Sequence, residues 1–112
     1  MSEEIDIFKC LDFMRDNAPA YAKAKADRVE LEQFRKSKKA LLMREAESKG
    51  FTALAAQERE AYADDDYVAV IKGLGAAVQE EERLRWLLIT AQIKLDVWRT
   101  IEANRRAEAK VL

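Results

Sequence analysis

The stretch LRWLLITAQIKLDVWRTI, Leu84 to Ile101, constrains the chain more than any other. Eleven of its eighteen residues are apolar: Leu84, Trp86, Leu87, Leu88, Ile89, Ala91, Ile93, Leu95, Val97, Trp98 and Ile101. A helix on a domain surface needs one apolar stripe. This one needs cover on two faces, and 112 residues supply little material for it. The feature points to a partner, most simply a second copy of the chain.

The rest of the chain predicts an all-α protein. Three glycines and one proline are too few for the turns of an all-β fold. The composition, 49% hydrophobic and 37% charged, is that of an ordered water-facing protein. No apolar run is long enough to span a bilayer, so no membrane is expected. The opening MSEEIDIFKC lacks the basic-then-apolar layout of a signal peptide. The single cysteine, Cys10, cannot form an internal disulfide, which fits a reducing cytoplasm.

Capping and turn signals divide a single domain, 1–112, into four helices over about 3–16, 19–49, 53–63 and 66–106. Ser2 is the expected N-cap of the first, with Ile5, Phe8, Leu11 and Met14 as its apolar row. Asp16-Asn17-Ala18-Pro19 reads as a turn, with Pro19 opening the second helix. The apolar side of that helix is Ala20, Ala24, Leu31, Phe34, Leu41 and Leu42, interrupted by Asp27 and Lys38. Gly50 is the expected left-handed residue of a Schellman ending, with Phe51 as its apolar contact. Thr52 is the expected cap of a short bridging helix, and one of Asp64, Asp65 and Asp66 that of the last. Gly73 and Gly75 weaken the last helix and predict a kink or a close crossing there. The expected architecture is a short N-terminal helix followed by a long antiparallel helical hairpin with coiled-coil-like packing.

The last helix carries a seam whose steps alternate four and three: Val70, Leu74, Ala77, Glu81, Leu84, Leu88, Ala91, Leu95, Trp98 and Glu102. That spacing is the geometry of left-handed helix pairing. A second stripe, Trp86, Ile89, Ile93, Val97 and Ile101, lies on another face and is left for a partner. Trp98 beside Arg99 and Trp86 beside Arg85 are the expected contact hot spots, since Trp and Arg dominate interface energetics.

Charge is segregated although the net is −1. Residues 1–17 carry net −3, 23–44 net +5, 45–82 net −7 and 83–112 net +4. Lys25, Arg28, Arg35, Lys36 and Lys39 share one flank of the second helix, which could follow a phosphate backbone. The rival reading of that flank is a solvated face with i,i+4 pairs such as Arg28–Glu32.

Signs of catalysis are scarce. The chain has no histidine, the commonest general base and metal ligand near neutral pH. It has no glycine-rich phosphate loop, zinc motif or nucleophile elbow. Asp64 to Asp66 fits a helix cap better than a cation site, and Glu80 to Glu82 with Arg83 and Arg85 fits a surface ion network. Cys10 reads as a small core or boundary side chain. No enzyme, cofactor or metal site is expected.

Three stretches, YAKAKADRVELEQFRKSKKALLMREAE (Tyr21–Glu47), EAYADDDYVAVIKGL (Glu60–Leu74) and LRWLLITAQIKLDVWR (Leu84–Arg99), resemble small helical proteins encoded by tailed phages and prophages. The resemblance lies in overall texture, without a catalytic motif. It implies a phage-related origin, a bacterial cytoplasm and a role beside DNA. The sequence thus leads to a non-enzymatic interaction protein, expected to be a homodimer with a possible further protein partner. The alternative is a nucleic-acid-associated accessory factor for phage replication or recombination.

Overall fold

The computed structural model describes residues 4–111. It is all-helical, with no strand among the described residues. The elements are α1 (Ile7–Ser48), α2 (Leu54–Ala63) and α3 (Asp65–Val111). The expected cap Ser2 lies outside the described residues. Asp6 caps α1 instead, its Oδ1 accepting from the backbone N–H of Phe8 and Lys9, each at 3.1 Å.

The expected short N-terminal helix and second helix are one continuous α1. The break at Asp16–Pro19 does not occur, and Pro19 lies inside the helix. Proline there removes the bond to the carbonyl of Arg15, but both residues are exposed, so water can satisfy that oxygen. The side chain of Asn17, two residues earlier, bonds locally, its Nδ2 donating to the carbonyl of Phe13 at 2.8 Å. Packing is the larger influence. Cys10, Met14, Asn17, Tyr21, Ala24, Arg28, Leu31, Arg35, Lys38 and Leu42 are all buried or half-buried, in steps alternating four and three. Pro19 falls on the opposite side of the helix from this row, where it disturbs no contact.

That row also corrects two expected apolar faces. Phe8 and Leu11 are exposed, and the covered side near the start is Ile7, Cys10, Phe13 and Met14. Ala20, Phe34 and Leu41 are likewise exposed, while Ala24, Leu31 and Leu42 are covered.

The ending of α1 follows the expected Schellman pattern. The Phe51 N–H donates to the carbonyl of Ala46 at 3.0 Å and that of Gly50 to Glu47 at 3.1 Å. Gly50 has φ 103°, a conformation that costs any residue with a Cβ. Thr52 does not cap α2; Ala53 holds that position, without a side-chain bond. Asp64 caps α3, its Oδ1 accepting from Asp66 N–H at 2.8 Å and Tyr67 N–H at 3.4 Å. No close crossing occurs at Gly73 or Gly75, since a Cβ at either would meet nothing within 4 Å.

Contacts group the chain into two compact units. The first holds the residues up to Ala22 and those from Glu82 onward; its buried core is Cys10, Leu84, Ala91 and Leu95. The second is Lys23–Glu81, whose buried residues are Ala24, Leu42, Ala46, Gln57, Ala61 and Glu81. In this second unit, α1 packs on α3 through ion pairs. Arg28 binds Glu81 through two bonds, one from Nη2 to Oε1 at 3.1 Å and one from Nε to Oε2, and Lys38 reaches Asp66 at 3.7 Å. Positions on α3 therefore descend as those on α1 ascend. The buried Gln57 anchors α2 to the preceding turn, its Nε2 donating to the carbonyl of Phe51 at 2.9 Å.

Candidate functional site

The predicted seam of α3 is the covered side of that helix. In the second unit Val70, Leu74 and Ala77 are half-buried and Glu81 is buried. In the first unit Leu84, Ala91 and Leu95 are buried, and Leu88, Trp98 and Glu102 half-buried. At about 100° per residue, Trp86, Ile93 and Val97 lie about 180° round the helix from that line. They are exposed accordingly: Trp86 58%, Ile93 55% and Val97 44%, with Ile101 on their flank at 39%. Ile89 borders the same face and is half-buried. Trp98, a predicted hot spot, sits with the seam and away from this outward face.

Single exposed apolar side chains are ordinary; here Trp86, Ile93, Val97 and Ile101 form a row along one face of α3. Polar neighbours frame the row. Arg85 lies over the Trp86 ring at 5.2 Å and pairs with Glu82 at 3.3 Å. The hydroxyls of Thr90 and Thr100 donate back to the carbonyls of Trp86 and Asp96, at 2.8 and 3.2 Å. Both hydroxyls are thus satisfied within the helix.

Beside the row, within the first unit, is a cavity of about 290 Å³ lined by Lys9, Cys10, Phe13, Leu87, Thr90, Ala91 and Lys94. Its shape follows from the small side chains of Cys10 and Ala91 at covered positions on the two helices. Leu87, Thr90 and Lys94 join the cavity to the outward row.

The basic flank of α1 is divided. Arg28 is held by Glu81 and by Glu32, the latter at 3.1 Å, and these bonds, Glu81 first, raise its pKa above the usual arginine value. Lys39 lies 4.8 Å over the Tyr62 ring and 3.4 Å from Glu58. Tyr62 first, then Glu58, raise the pKa of its ammonium above the ordinary lysine value. Tyr62 in turn packs on Tyr67, ring centroids 5.5 Å apart. Arg35 is half-buried in the row that faces inward, and only Lys25 and Lys36 are exposed. The five residues therefore do not form one solvent-facing track.

Among the described residues, no cluster of three or more His, Cys, Asp or Glu side chains is placed to hold a metal ion. No helix there is long and apolar enough to cross a membrane. Comparison with protein-family models, curated proteins and solved structures finds no match to this chain.

Proposed function

We propose that the protein is a non-enzymatic interaction protein that self-associates through the outward face of α3 and presents a rigid helical surface. The observation that carries this is the row of Trp86, Ile93, Val97 and Ile101, about half exposed along one face. The scaffold behind it is read as an antiparallel, coiled-coil-like helical hairpin, supported by the four-and-three spacing of the covered residues on both long helices. The textural resemblance supports a phage-related protein of the bacterial cytoplasm.

Magnitudes define the kind of assembly. Full burial of a large apolar side chain gives about 1.5–3 kcal/mol, so covering four half-exposed ones gives roughly 3–6 kcal/mol per copy. A symmetric pair doubles that to roughly 6–12 kcal/mol, against about 4–15 kcal/mol for lost freedom on association. The row alone therefore supports a reversible, weak dimer. Sedimentation velocity on the native chain and on Val97→Glu tests this. The native chain should shift towards dimer as concentration rises, and the variant should stay monomeric with its helix content intact. A variant that dimerises like the native chain overturns the assignment of this face.

A further inference from the structure

We propose that two copies meet antiparallel along α3, and that the charges beside the outward row set this direction. The direction rests on the self-association proposed from that row and adds an orientation to it. All the residues concerned lie in the first unit.

Between Glu82 and Ile101 there are six charged residues, and they divide by edge. At about 100° per residue, Glu82, Arg85, Asp96 and Arg99 fall on one side of the row, and Arg83 and Lys94 on the other. On the first edge an acid followed three residues later by an arginine occurs twice, two heptads apart. Arg85 pairs with Glu82 at 3.3 Å and Arg99 with Asp96 at 3.5 Å, and all four side chains are exposed. Exposed pairs at this spacing are weak, so each group can turn to a facing charge at little cost.

In an antiparallel two-fold pair, like edges face each other and the order along one copy is reversed. The run acid, arginine, acid, arginine then meets arginine, acid, arginine, acid. Glu82 lies opposite the second copy's Arg99, and Arg85 opposite the second copy's Asp96, each contact occurring twice. The centre of this charge pattern falls between Thr90 and Ala91, and that of the apolar row from Trp86 to Val97 between Ala91 and Gln92. One alignment therefore serves both to within about 3 Å, an offset that a long arginine stem spans. A parallel pair would set this edge against the opposite one, bringing Arg85 and Arg99 towards the second copy's Arg83 and Lys94. Charges at the rim of an interface fix direction and partner more than they add affinity.

Sedimentation velocity on the full-length chain tests the direction. Arg85→Glu with Arg99→Glu makes the edge wholly acidic, and Glu82→Arg with Asp96→Arg makes it wholly basic. Each double variant should self-associate at least about tenfold more weakly than the native chain, with the same helix content by circular dichroism. An equal mixture of the two should recover association close to the native strength. A parallel pair predicts the reverse for the acidic variant, whose edge would face Arg83 and Lys94 and gain. A native dimer whose acidic variant pairs as tightly or more tightly, or a mixture that stays monomeric, overturns the antiparallel assignment and leaves self-association standing. A native chain that remains monomeric overturns both.

Discussion

Leu84→Ala and Ile93→Ala lie about two and a half turns apart along α3 but should differ severalfold in cost. Leu84 is 3% exposed, so truncation forfeits nearly the whole transfer term and leaves a cavity in the seam. Buried Leu→Ala changes cost about 2–5 kcal/mol; a seam between two helices relaxes more than a deep core, which places Leu84→Ala at roughly 2–3.5 kcal/mol. Ile93 keeps less than half of its surface covered. Losing about three carbons at about 0.8 kcal/mol per buried methylene, scaled by that coverage, gives about 1 kcal/mol. Alanine regains about 0.4 kcal/mol of helix propensity over isoleucine, leaving a net cost near 0.6 kcal/mol. For a domain of this size about 1 kcal/mol moves Tm by about 4 °C, so the shifts should be roughly 8–14 °C and 2–3 °C. The assay is thermal unfolding by circular dichroism at low micromolar concentration, where association adds little. Equal shifts for the two variants would refute the division of α3 into a folded seam and an outward face.

Further predictions bear on the backbone and on one cation. Pro19→Ala restores a helical hydrogen bond and should raise stability by about 1–2 kcal/mol in urea unfolding, less than the full proline penalty because the unfolded chain also gains freedom. Gly50→Ala places a Cβ on a residue with φ 103° and should cost about 1–2 kcal/mol in the same assay. Lys39 has a raised pKa in the fold, so its contacts with Tyr62 and Glu58 contribute fully below the ordinary lysine pKa and are lost as pH rises through the raised value. Native protein should therefore lose more stability than Lys39→Met between neutral pH and the strongly alkaline range, as measured by urea midpoints.

Much of the fold is legible where a local signal and a tertiary role agree. Gly50 followed by Phe51 has one common use at a helix end, and Asp64 one common use before a helix. The seam of α3 is apolar at eight of its ten positions, so its period can be read directly. The matching row on α1 is obscured because Asn17, Arg28, Arg35 and Lys38 occupy it. Arg28 is placed there by Glu81, 53 residues away, and no local pattern reveals such a pairing. Pro19 misleads for a related reason. Its local cost argues for a break, whereas the covered row on the far side of the helix continues through it. The outward face of α3 is visible as a second stripe, but the cavity beside it is not. It arises from two small residues, Cys10 and Ala91, brought together from opposite ends of the chain.

The central claim is that the exposed face of α3 exists to be covered by a second copy. Multi-angle light scattering of the native chain, from about one to about a hundred micromolar, a span suited to a weak interface, tests it most directly. The account predicts a mass rising from one chain towards two across that range. A mass that stays at one chain at the highest concentration would contradict it.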